Sequence, residues 1–195
     1  MKVTSLINGQ GEILNHSSKN GKLDVFFRFI DDNQDSLRFV GVAVFIFAVL
    51  QLLYFQFYVG SSLFYSYLRL CAELSTQLLL LIGEPVTLAA RTITSDAGPA
   101  VTVVEGCDAL RIYSVLVAAI VAFQSPWPKK VVGILVGVGS MFVFNLIRIS
   151  LLLWLDVHHT DWFDTFHHTI LPFGLWLIAV VYFYLWGASV DLSRE

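Results

Sequence analysis

The sequence predicts an all-α integral membrane protein: four transmembrane helices, one interfacial amphipathic helix and a small extracytoplasmic β-hairpin. Three observations carry that expectation. The chain of 195 residues is 56% hydrophobic and only 14% charged, whereas a soluble domain is about 45–50% apolar and about 25% charged. Its mean hydropathy is +0.71. Its apolar residues also gather into runs long enough to cross a hydrocarbon core of about 30 Å. The net charge of −3, with no Lys/Arg stripe, offers nothing for nucleic acid to bind.

The elements follow in order. Residues 1–36 are polar and read as a cytoplasmic, disordered leader, within which Leu23–Ile30 is apolar enough to rest on a membrane. The long polar start before Phe39 argues against a cleavable signal peptide. The membrane domain is expected over residues 37–190, with a cytoplasmic tail at 191–195. Phe39–Val59 carries no charge and would reach about 31 Å as a helix. Ser61–Ile82 carries a polar stripe (Ser62, Ser66, Arg69, Glu73, Gln77) opposite an apolar one (Leu63, Tyr67, Leu70, Leu74, Leu78, Leu81). That pattern favours a helix in the interface over a fifth span. Val86–Thr94 and Val101–Val104 are β-prone and flank Ser95-Asp96-Ala97-Gly98-Pro99, the signature of a hairpin.

Ala109–Phe123 is a short span with Arg111 near its start. Val131–Leu155 is a long one whose only charge is Arg148, and Thr169–Ala188 is an uncharged one ending in aromatics. Lys and Arg concentrate in residues 1–38 and at Lys129 and Lys130, and are missing from Asp156–His168. The positive-inside rule then puts both termini in the cytoplasm, and residues 60–106 and 156–168 outside.

A charge inside a span costs about 2.5–3.5 kcal/mol on insertion scales and marks function. Arg148 is that charge. Two other reactive groups stand near the outer ends of neighbouring spans, Cys107 and His167. A cysteine nucleophile needs its thiolate, and a helix N-terminus, an arginine or a histidine base each favours it. Cys107 is expected to begin a helix; the bland alternative is a small buried residue. Cys71, on the apolar stripe, carries no chemistry in this reading. The two cysteines form no CxxC pair, and their settings differ. Asn145 shares a helix face with Arg148. The alternatives for Arg148 are snorkelling outward or pairing with Asp156 or Asp108.

Gly133, Gly137, Gly139 and Ser140 form a small-residue patch suited to close helix packing. His158, His159, Asp161, Asp164, His167 and His168 crowd one predicted outer loop. They are either a metal site or a solvated stretch with no role, and no HExxH-like spacing favours metal.

Three strings in order, Val104-Glu105-Gly106-Cys107-Asp108-Ala109-Leu110, Asn145-Leu146-Ile147-Arg148-Ile149 and Trp162-Phe163-Asp164-Thr165-Phe166-His167, resemble the archaeosortase/exosortase family. The resemblance is to its short exosortase H type, which pairs with IPTL-CTERM sorting tails, and it runs from about residue 37 to 188. It implies a membrane transpeptidase whose catalytic triad is Cys107, Arg148 and His167, with Asn145, Asp108 and His168 as supporting or substrate-binding residues. Ala109 stands where the family usually has glycine, which argues against an unusual backbone there. His168 beside His167 leaves two candidates for the base, of which His167 matches the Trp-Phe-Asp-x-x-His spacing.

The implied substrate is an exported protein ending in a sorting motif, a transmembrane helix and a basic end, with membrane lipid as the surrounding partner. No cofactor or metal is expected. The competing readings are a non-enzymatic scaffold holding a partner helix, and a metal-dependent membrane protein built on the His/Asp loop.

Overall fold

The computed structural model describes residues 33–191; the predicted leader, apart from its last few residues, and the predicted tail beyond Asp191 lie outside them. Contacts divide the chain into Met1–Gly41 and Val42–Glu195. The second unit contains everything that positions the site.

Helix α1 runs Gln34–Leu53, starting before the apolar run itself. It continues into a π-helical turn, Tyr54–Tyr58, in which the Val59 N–H donates to the Tyr54 carbonyl at 2.9 Å. The Ser61 hydroxyl accepts from the Phe64 N–H at 3.1 Å and caps α2, Ser62–Leu81. Strands β1 (Val86–Ala89), β2 (Thr92–Ser95) and β3 (Ala100–Thr102) make one antiparallel sheet in the order β1-β2-β3. Helix α3 is Leu110–Ala122, α4 is Trp127–His158 with Pro128 in its first turn, and α5 is Thr160–Thr165. A second π turn, Phe166–Ile170, leads into α6, Leu171–Asp191.

Among the described residues, three stretches are helical, long and apolar enough to cross a membrane: Gln34–Tyr58, Trp127–His158 and Thr160–Val190. Helix α3, with 13 residues, reaches about 20 Å and does not meet that length alone. The architecture is therefore an all-α membrane protein with a small sheet at one end.

Four local expectations are corrected. The predicted hairpin is a three-stranded sheet, because Val86–Thr94 turns at Ala90-Arg91, with Ala90 at φ 56°. Alanine is no turn-former, so this turn left no mark in the sequence. The buried face of α2 is not the leucine stripe but Phe64, Leu68, Cys71, Ala72, Ser75, Thr76 and Leu79, while Leu63, Leu70 and Leu81 are exposed. That face mixes large side chains (Phe64, Leu68, Leu79) with small ones (Cys71, Ala72, Ser75, Thr76), and the small ones let backbones approach. Ser75 Oγ donates to the Leu146 carbonyl, and Ser150 Oγ donates to the Ser75 carbonyl at 3.2 Å, tying α2 to α4.

The predicted loop Asp156–His168 is almost wholly helical. Its single break is His159 (φ −146°, ψ 58°). The π turn after it follows from Pro172, which has no N–H to give the His168 carbonyl in an α-helical pattern.

The fourth correction concerns glycine. An added Cβ at Gly133 would run into the Trp186 indole, and one at Gly137 would lie 2.6 Å from the Tyr182 ring, so both are close-packing positions. At Gly139 nothing lies within 4 Å. Tyr182 Oη donates to the Gly133 carbonyl at 2.6 Å, locking α6 onto α4. Two apolar cores result. One joins the end of α1, α2, the sheet and the upper part of α4; the other joins α3, α4 and α6.

Candidate active site

The chain enters the site through Gly106-Cys107-Asp108-Ala109, a turn between β3 and α3. Gly106 sits at φ 91° and Ala109 at φ 55°, and the Cys107 N–H donates to the Val104 carbonyl at 3.0 Å. Two expectations change here. Ala109 does adopt the left-handed conformation that glycine would take without strain, at a cost of about 1–2 kcal/mol for an L-residue. Cys107 does not begin a helix: α3 starts at Leu110, with Ala109 as its cap. The Leu110 N–H is directed to Asp108 Oδ1 at 3.4 Å. The groups that share a cavity with Cys107 are therefore brought not by the helix end but by α4 and the second π turn.

Asp108 is 1% exposed. Its Oδ2 accepts a 2.6 Å bond from Tyr54 Oη, and its carbonyl accepts a 3.0 Å bond from Tyr67 Oη. Tyr54 belongs to the π turn of α1, which gives that helix an extra residue at its end. Such turns recur at functional sites. Tyr67 also reaches Tyr113 Oη at 3.4 Å. Two hydroxyls thus hold the turn, Tyr54 from the end of α1 and Tyr67 from α2. Neither Tyr54 nor Tyr67 stands out in the sequence, since a tyrosine in an apolar run reads as packing.

Asn145 makes the connection to α4. It is fully buried, its Nδ2 donates to the Cys107 carbonyl at 2.8 Å, and its Oδ1 accepts from Arg148 Nη1 at 3.4 Å. Arg148 is 8% exposed and, among the described residues, forms no ion pair with Asp108 or Asp156. Its Nε is buried with no hydrogen-bond partner. A guanidinium is always charged, so this is a cation with a free donor held inside the protein.

His167 comes from the second π turn. It is half-buried, stacked on Phe163 with ring centroids 5.5 Å apart and planes 9° apart, and its buried Nδ1 has no partner. His168 is exposed and meets His167 edge-on at 4.6 Å. One ring is held against Phe163 and the other is exposed, and both line the cavity described next. Phe163, which orients the held ring, was not foreseen as a site residue.

Cys107, Arg148, His167 and His168 line one cavity of about 340 Å³, together with Val101–Gly106, Phe163 and Pro172. Both cysteines are free thiols. Cys71 is fully buried on α2, outside that cavity, and burial pushes its thiol up to about 11. It remains protonated at neutral pH.

The six residues of the His/Asp stretch do not converge. Among the described residues no three His, Cys, Asp or Glu side chains come together as metal ligands. His158 instead pairs with Glu84 at 3.0 Å, and His158 and His159 both lie against Trp154.

A helical membrane fold in which one cavity gathers a free thiol, a buried arginine and a half-buried histidine defines a class: multi-helix membrane proteins that bring such side chains together. The family model of the transmembrane exosortase (Exosortase_EpsH) matches residues 34–187. The chain belongs to that family. No curated protein and no solved structure matches it.

Proposed function

We propose that this protein is a membrane-embedded cysteine transpeptidase that cleaves the C-terminal sorting tails of exported proteins. The observation that carries the reading is that Cys107, Arg148 and His167, from three separate segments, line one cavity. Family membership supports the reaction class. His167 takes the thiol proton as Cys107 Sγ attacks the scissile carbonyl. Arg148, which lines the cavity, stabilises the oxyanion with its guanidinium. The C–N bond breaks, His167 returns the proton to the leaving amine, and a thioester remains on Cys107. An acceptor, water or an amine, resolves it. Asn145 is a positioning residue that joins the Cys107 backbone to Arg148, and Asp108 fixes the turn from the other side.

The distribution of Lys and Arg supports a multi-pass protein of the bacterial inner membrane with both termini in the cytoplasm and the site on the outer face. The tail implied is a short motif, an apolar helix and a basic end, of the IPTL-CTERM or PEP-CTERM kind.

The test is co-expression with an exported reporter that carries a candidate tail. The wild type should shorten the tail, and Cys107→Ala, at equal membrane abundance, should not. Shortening by Cys107→Ala at the wild-type rate would end the covalent mechanism. If neither chain shortens any tail while an impermeant reagent labels Cys107, the scaffold reading takes its place.

A further inference from the structure

The cavity beside Cys107 has an unusual wall. Val101 and Thr102, the last two residues of β3, line it, and so does each residue of the non-strand segment that follows, Val103 to Cys107. Successive side chains of a strand point to opposite faces, so a cavity lying over one face would meet only one of Val101 and Thr102. One that meets both reaches the strand's end along its edge, beside the backbone. Strand β3 has such an edge, because the sheet order β1-β2-β3 leaves its far side unpaired.

The register says which backbone groups that edge offers. The Val103 N–H donates to the Arg91 carbonyl and the Ser95 N–H to the Pro99 carbonyl, both at 2.9 Å, and Val101 stands opposite Ile93 between them. In an antiparallel ladder the hydrogen-bonded pairs alternate. Pro99, Val101 and Val103 therefore point their groups at β2, and Ala100, Thr102 and Val104 point theirs away. The latter three are also the exposed ones. The Val104 carbonyl is taken by the Cys107 N–H; the outward groups of Ala100 and Thr102 remain, a few residues ahead of the thiol.

We propose that the substrate binds as a fourth strand, with the extended segment of the sorting tail next to the scissile bond pairing its backbone with the outer edge of β3. This rests on the function proposed above and adds how the peptide is held. Strand addition takes affinity from main-chain hydrogen bonds and leaves side-chain choice to the pockets beside them. Here it also fixes the register of the scissile carbonyl against Cys107, because the strand and the nucleophile lie on one continuous backbone. The edge is short, as an edge that must not pair indiscriminately should be.

Thr102→Pro is the direct test. Proline is tolerated on an edge strand where its missing N–H faces outward, and the bonds of Val101 and Val103 to β2 are untouched. Thr102→Pro should slow shortening of the co-expressed tail reporter at least tenfold, with Cys107 still labelled by an impermeant thiol reagent. Thr102→Val, which keeps the N–H, should run at least tenfold faster than Thr102→Pro. Tail shortening by Thr102→Pro at the wild-type rate would overturn the proposal and leave the transpeptidase reading intact, whereas an inactive wild type would sink that reading itself.

Should Thr102→Pro fail to accumulate, Thr102→Cys in a Cys107→Ala background provides the second measurement. Disulfide capture of single-cysteine tail reporters should favour every second tail position, the period of a strand. Capture with no such period, or capture only of a second copy through Thr102→Cys itself, would overturn the proposal.

Discussion

Helix α4 passes through two regions built on opposite principles. Its first half packs. Gly133 and Gly137 admit the Trp186 and Tyr182 rings, Tyr182 Oη satisfies the Gly133 carbonyl, and Lys130 Nζ donates to the Val121 carbonyl at 2.6 Å, closing the end of α3. One buried polar atom near it lacks a partner, Ser125 Oγ in the turn before the helix. The second half holds Asn145 and Arg148, and around it lie Arg148 Nε and His167 Nδ1 without partners, a left-handed Ala109 and a π turn on each side. Unmade hydrogen bonds and strained backbone are costly and persist where surrounding structure holds them, typically at sites of function. One half of the helix supplies the rigidity that the other half needs in order to keep its charged and reactive groups unspent.

The largest expected effect of breaking that division comes from Arg148→Lys. Lysine keeps the charge but loses the planar fork of N–H donors. If Arg148 serves the oxyanion, tail shortening should fall about a hundredfold or more, as when one strong transition-state donor is removed. Membrane abundance should change little, because Arg148 forms no ion pair among the described residues. Near-wild-type shortening by Arg148→Lys would make the arginine a structural cation.

Gly137→Leu should give the reverse pattern. The new side chain would start 2.6 Å from the Tyr182 ring and 2.9 Å from Leu116, and overpacking of this kind costs about 1–3 kcal/mol. Protein in the membrane should fall and thermal unfolding in detergent should come earlier. The protein that remains should shorten tails at a near-normal rate per molecule. Equal loss of rate per molecule and of abundance would mean that the two halves of α4 are not separable.

How much of this was legible in sequence follows the same division. The long helices were, because length and hydropathy decide them before any packing does. The burial of Arg148 inside its helix was, because a lone charge stands out in an apolar run, and Gly133 and Gly137 were, because small residues at helical spacing have few other uses. The sheet's third strand was not, since it depends on Ala90 accepting a turn that alanine does not advertise. The buried face of α2 was not legible because it mixes Phe64, Leu68 and Leu79 with Cys71, Ala72, Ser75 and Thr76 and so leaves no run of like residues to mark it. Tyr54 and Asp108 meet across 54 residues of sequence, a pairing that no local pattern carries.

The smallest effect concerns Ala109 and separates strain from packing. In an ordinary helix interior, Ala→Gly costs about 1 kcal/mol in propensity, and removing a buried methyl costs about 0.8 kcal/mol more. Ala118, 2% exposed within α3, should therefore lose about 1.5–2 kcal/mol as Ala118→Gly. Ala109 is nearly as buried, at 6% exposed, yet its φ of 55° is one that glycine adopts freely. Relief of about 1–2 kcal/mol of left-handed strain offsets both penalties, and Ala109→Gly should fall within about 0.5 kcal/mol of wild type. Thermal unfolding of the two variants, solubilised side by side, reads the difference directly. Equal destabilisation would place Ala109 in ordinary right-handed backbone and remove the strain from the turn that carries Cys107. A silent Ala109→Gly beside a damaged Ala118→Gly would locate that strain in the four-residue turn, where Asp108 and Asn145 hold the thiol's backbone from two sides.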